Sequence, residues 1–161
     1  MVKILVPLII ILSGCSTIGQ SKILPAKTTT TMTQNNAAKV TEVEVTGNAN
    51  NYTFAVTVKS PDTGCDRYAD WWEVITPEGE LLYRRVLLHS HVDEQPFTRT
   101  GNPVPISPQQ DAIVRVHMSS DGYSTLAQQG SVKSGFTAVT LPEEFAANLE
   151  SAEPLPQDCA F

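Results

Sequence analysis

Residues 65–97 read CDRYADWWEVITPEGELLYRRVLLHSHVDEQPF, and this stretch sets the fold class. Tyr68 to Thr76 is rich in aromatic and β-branched residues, the composition of a strand. Pro77-Glu78-Gly79 supplies a turn, because Pro sets φ at its own position and Gly accepts positive φ. The run Glu80 to Leu88 is expected to return antiparallel and complete a hairpin. Side chains alternate faces along a strand, so Leu82, Arg84, Val86 and Leu88 share one side. Leu81, Tyr83, Arg85 and Leu87 share the other, and the same register carried forward adds His89, His91 and Asp93. Neither side is wholly apolar. A snorkelling Arg on a sandwich strand and a functional groove both fit that pattern.

The flanking segments repeat the theme. Asn51 to Lys59 puts Tyr52, Phe54, Val56 and Val58 on one face and Thr53, Ala55 and Thr57 on the other, a half-buried strand. Lys39 to Gly47, with Val43 and Val45 in register, pairs with it across Gly47-Asn48-Ala49-Asn50, a second hairpin. Ser60 to Gly64 is a loop. Glu94 to Gln110 carries Pro96, Pro103, Pro105, Pro108 and Gly101 and reads as a long loop. Asp111 to Ser119 is a strand with Ala112, Val114, Val116 and Met118 on one face and Ile113, Arg115 and His117 on the other. Asp121-Gly122 marks a turn, and Ser131 to Leu141 a further strand with Val132, Phe136 and Val139. Pro142 to Glu150 alone reads as helical, and it is short. Six or seven short strands joined by turns predict an all-β chain: a single antiparallel β-sandwich, Ig-like in the broad sense, with a long Pro-rich loop and a short C-terminal helix. The Cys–Trp–Cys spacing of a true immunoglobulin domain is not met, since Cys65 stands too close to Trp71 and Trp72. There is no internal repeat.

The N-terminus is a different kind of sequence. Met1 to Cys15 is MVKILVPLIIILSGC: one Lys, an apolar run from Ile4 to Leu12 too short to span a bilayer, then Leu12-Ser13-Gly14-Cys15. This resembles the lipobox of bacterial lipoprotein signal peptides. The resemblance implies a signal peptide at 1–14, cleavage before Cys15, a diacylglyceryl group on its thiol, and an acyl chain such as palmitate on its new amino group. Two or more chains hold a protein on a membrane far more firmly than one. Ser16, rather than Asp, follows the Cys, which by the family's rule implies the outer membrane where the cell has one. Loss of Lys3 would take the side-chain charge from −6 to about −7. So acidic a chain argues against nucleic acid as a partner.

Residues 15–38 comprise the lipidated Cys and a polar segment with a Thr run, Thr28 to Thr31, and Gln34-Asn35-Asn36. It holds too few large apolar groups for a core and reads as a flexible tether with a reach of roughly 25–30 Å. Residues 39–161 form the sandwich domain. With Cys15 lipidated, Cys65 and Cys159 are left as an even pair in an exported chain, which predicts a disulfide; two free thiols are the alternative. SPDTGCDRYADWWEV together with LLHSHVDEQPFTRTG is similar to a group of bacterial exported proteins without an assigned activity, so that resemblance transfers no catalytic residue.

Three constellations could carry chemistry. His89 and His91, at i and i+2 on a strand, would stand roughly 6–7 Å apart and point the same way. They could hold Zn or Cu with a third ligand from His117, Asp93 or Glu94. The competing role is a pair of surface or loop-anchoring histidines. Trp71 and Trp72 must face opposite ways, which places one in the core and leaves the other, near Tyr83, to stack on a sugar or anchor a protein unless a loop covers it. The acids Asp62, Asp66, Asp70, Asp93 and Glu94 match no defined calcium loop and read as a solvated face. No GxSxG, HExxH, phosphate loop or CxxC is present. The sequence thus predicts a membrane-anchored envelope lipoprotein, a non-enzymatic interaction or structural module for a protein or glycan partner. The alternative is an envelope Cu- or Zn-binding protein.

Overall fold

A computed structural model describes residues 37–160. The expected signal peptide, Cys15 and nearly all of the expected tether lie outside the described residues. Nine strands form two antiparallel sheets: β1 (Lys39–Asn48), β2 (Asn51–Lys59), β3 (Ala69–Ile75), β4 (Leu81–Val86), β5 (Phe97–Val104), β6 (Ala112–Met118), β7 (Gly122–Tyr123), β8 (Leu126–Ser131) and β9 (Gly135–Thr140). The smaller sheet has the order β1-β2-β5; the larger runs β4-β3-β6-β8-β9, with β7 beside β6. The two pack face to face, so the chain is an all-β sandwich.

The core follows from the alternation of β2. Tyr52, Phe54, Val56 and Val58 are buried, and Trp72, Val74, Val114 and Val116 of the larger sheet meet them. Phe97 and Val104 of β5 and Ile106 beyond it complete the layer. Gly101 of β5 is there because a Cβ would come within 2.5–2.8 Å of the Tyr83 ring and its hydroxyl and of Trp72. Ala38 is buried as well, and its carbonyl accepts from the Ser124 hydroxyl.

β3 and β6 are buried along their whole length, which alternation alone does not explain. Their second face is covered too. Leu141, Phe145, Ala146, Leu149 and Ala152 pack against Ile75 and Ile113, so the C-terminal segment forms a third layer over the larger sheet. The Cys65–Cys159 disulfide forms, with Cα atoms 5.6 Å apart, within the usual span. It closes a loop of 94 residues, worth up to about 4–5 kcal/mol in the chain-entropy model.

Four expectations are corrected. Glu94 to Gln110 is not all loop, because Phe97–Val104 pairs with β2 as an edge strand. Pro103 is tolerated there: it falls in the register shift between Gly101 and Val104, where no ladder bond is required. Ser131 to Leu141 is not one strand. Ser131 ends β8, the Ser131–Ser134 hydroxyls close a turn, and Gly135 starts β9. Instead of a helix over 142–150, turns lead into a 3₁₀ segment, Ala147–Ser151. Finally, β4 stops at Val86, so His89 and His91 are not strand residues.

Candidate functional site

Two places concentrate polar side chains in buried surroundings. The first lies on the outer face of the larger sheet. Register sets Glu73 directly across from Arg84 on one neighbouring strand and Arg115 on the other. All three are buried. Arg84 donates to Glu73 Oε2 from Nη2 at 2.6 Å and from Nε at 2.9 Å, while Arg115 Nε donates to Oε1 at 2.8 Å. One carboxylate thus serves two guanidiniums, and the spare guanidinium protons go to the covering segment. Arg84 bonds the carbonyls of Leu149, Ala152 and Pro154; Arg115 bonds those of Phe145 and Ala146. Tyr123 lies under Arg115, whose guanidinium carbon is 3.5 Å from the ring centre. Burial, and then the Glu73 charge, push its phenol up to about 12.

At the rim of this face His117 Nδ1 is 2.7 Å from Asp70, and Nε2 is 3.4 Å from the exposed Glu150. Trp71 stacks on the imidazole at 3.6 Å. An Asp–His pair of this kind could orient a base, but its far nitrogen faces a carboxylate rather than a hydroxyl or thiol. Chemically the whole face is a clasp. Its donors and acceptors are spent on fastening the C-terminal segment.

The second place is the loop 87–96. Leu87 N–H donates to Asp70, and the chain then leaves the sheet. Asp62 holds it from below: Oδ2 accepts from the His91 N–H at 2.8 Å, while Oδ1 accepts from the Ala69 N–H at 3.0 Å. Gln95 ties the other end, donating to the His91 carbonyl and the Ser60 hydroxyl and accepting from the Ser60 N–H. The His91 ring stacks on Phe97 at 3.7 Å and lies 4.6 Å from the His89 ring. His91 is only 3% exposed, yet neither ring nitrogen has a hydrogen-bond partner, and the buried Ser90 hydroxyl has none either. Burial first, and then Arg99 and His89, hold the His91 pKa below its ordinary value, against Asp62 and Glu94. Residues 89–94 line an open cleft of about 390 Å³, with Gly64 and Ala160 as its other wall. On either side of His89 and His91, Leu88 and Val92 are 57% and 50% exposed, the large hydrophobics that stand in water among the described residues.

A protein of Halomicrobium mukohataei named "Putative lipoprotein" is 40% identical over 84 residues, 52% of this chain and 41% of that protein. The matched stretch is thus less than half of the relative's length. No family model matches the chain, and no solved structure does.

The predicted site residues separate accordingly. His89, His91 and Asp93 line one cleft. His117 is committed to Asp70 and Glu150 on the outer face of β6. Among the described residues no group of three or more His, Cys, Asp or Glu side chains is placed to hold a metal ion. Trp71 is the tryptophan on the far face, but the clasp covers it and it is 3% exposed. The tryptophan beside Tyr83 is instead the core residue Trp72, at 5.7 Å, and Tyr83 is half-buried. Sequence reasoning missed Glu73 and its two arginines as a unit. The available signal was a charge within each of three largely apolar strands, acidic in one and basic in two.

Proposed function

We propose that the protein is a lipid-anchored lipoprotein of the cell envelope whose sandwich is a non-enzymatic interaction module, docking an envelope protein through the 87–96 loop. The lipobox at Leu12-Ser13-Gly14-Cys15 and the lipoprotein name of the Halomicrobium relative support the anchor. The loop carries the module. Asp62 and Gln95 fasten its backbone while Leu88 and Val92 are held out in water, an arrangement that costs solvation and gives no packing in return. A loop ordered before binding loses little further entropy on docking, which is where affinity is otherwise spent. The partner this surface fits presents an apolar patch, bordered by basic or neutral groups to suit Asp93 on the cleft rim.

The test is site-specific photo-cross-linking in the native cell. A cross-linker at Val92 should give a discrete adduct, lost when Leu88→Asp is added, and the same group at exposed Thr46 should give none. Cys15→Ser should free the protein from the membrane. Equal labelling at both positions, or an adduct indifferent to Leu88→Asp, removes the loop from consideration.

A further inference from the structure

We infer that the Cys65–Cys159 disulfide is a redox latch on this loop, fastening the last described residues against it and releasing them on reduction. Two fastenings act on the C-terminal segment, and they meet end to end. The clasp reaches as far as Pro154, whose carbonyl Arg84 holds along with those of Leu149 and Ala152. Beyond it, among residues 155–160, the one hydrogen bond to a distant part of the chain is from the Ala160 N–H to the Leu88 carbonyl. Leu155 N–H turns back on Glu153. The disulfide is the covalent tie for this stretch, and both its cysteines are partly exposed.

What the latch holds is part of the cleft. Ala160 and Gly64, which adjoin the two cysteines, form the wall opposite residues 89–94. Ala160 also bonds the carbonyl of Leu88, one of the two exposed apolar residues. In the oxidised chain the tail therefore finishes the loop's shape. In the reduced chain the tail departs from about residue 155, the cleft loses a wall, and Leu88 loses a restraint. The clasp is untouched, because its bonds involve no sulfur.

The chemistry is thiol–disulfide exchange with an external dithiol. One thiolate of the dithiol attacks Sγ of Cys159; the protein S–S bond breaks, and Cys65 leaves as a thiolate that takes up a proton. The second thiol of the dithiol then attacks the mixed disulfide and frees Cys159. The dithiol ends as a disulfide, and the protein has gained two electrons and two protons.

As a regulation of the loop this rests on the docking reading, but the latch can be tested on the free protein. Amide exchange and backbone resonances of the full chain are followed before and after dithiothreitol, with Cys65→Ser/Cys159→Ser as a reductant-free control. Expected are a tenfold or greater loss of protection at Ala160 and shifted resonances across 88–94, with β3 and β6 keeping their native resonances and remaining the most protected strands. Reduction that leaves 88–94 and Ala160 as they were overturns the latch. So does reduction that melts β3 and β6, which would make the bond a staple of the whole fold. Cross-linking at Val92 under the two redox conditions separates the ideas. An adduct equal in both defeats the latch and leaves docking standing, whereas no adduct in either defeats docking while the exchange data still judge the latch.

Discussion

His117 and His91 are equally buried, each 3% exposed, and each lies flat on an aromatic ring: Trp71 at 3.6 Å and Phe97 at 3.7 Å. There the likeness stops. His117 has a carboxylate on each nitrogen, whereas His91 has a partner on neither. The difference separates a finished structure from an unfinished one. Around His117 the charged side chains are turned to one another and to the C-terminal layer, and the Trp71 indole N–H is the buried donor left without a partner there. Around His91 the backbone is firmly bonded while its own ring nitrogens and the Ser90 hydroxyl remain without partners, and two apolar side chains project beside them. Buried polar groups left unpaired are uncommon in folded proteins, so the second region is where an external partner has something to complete.

The largest effect should come from breaking the clasp. Glu73→Gln keeps the side chain's shape but leaves Arg84 and Arg115 buried without a counter-charge. Removing one partner from a buried ion pair typically costs about 3–5 kcal/mol. Equilibrium denaturation should show that loss, with Ala147–Ser151 becoming open to protease first. A loss under about 1 kcal/mol would mean that the carbonyls of 145–154 satisfy the arginines on their own, at the strength of ordinary charged hydrogen bonds.

Much of this division was legible in the chain, and the rest was hidden for definite reasons. β2 announces itself because one of its faces is core and the other partly exposed, so its alternation survives. The register of β6, with Ile113, Arg115 and His117 opposite Val114 and Val116, was also readable. What these outward residues met was not, because their partners come from 70–75 and from 145–152, and register between distant segments leaves no local mark. β5 was disguised by its prolines, which an edge strand with a register shift can carry. β8 was disguised by its composition: LAQQGS is a strand through its pairing, and Gln128 is buried because it bonds the Val40 carbonyl. His89 and His91 have their rings 4.6 Å apart through a loop rather than through strand period.

A smaller effect should separate the two histidines directly. His117→Phe preserves a ring against Trp71 but strands the Asp70 carboxylate, which should cost about 1–3 kcal/mol as a buried acceptor without its partner. His91→Phe preserves the ring against Phe97 and strands nothing, since no bond to the imidazole is lost. Its unfolding midpoint should match or exceed that of the native chain, with the Leu88 and Val92 surface intact. Equal costs at the two sites would erase the contrast and show that the His91 nitrogens are satisfied in solution.

The smallest effect is a dependence on pH, and its sign follows from burial. The His91 pKa lies below its usual 6.5 because desolvation, reinforced by Arg99 and His89, disfavours the charged ring more than Asp62 and Glu94 favour it. On acidification the unfolded chain therefore takes up this proton before the folded chain does. Stability from this residue is complete above about 6.5 and is lost as the pH falls towards the lowered value. Comparing denaturation of the native chain with His91→Phe between about pH 8 and pH 5 isolates the term, because His89, His117 and the carboxylates are common to both. The native chain should lose more stability than the variant across that window, with the 88–94 resonances moving at the same pH. A parallel pair of curves would mean that Asp62, whose Oδ2 already stands 3.9 Å from Nδ1, closes on the ring and accepts its proton without cost. His91 would then have a carboxylate partner as His117 has, and the two regions would differ only in what covers them.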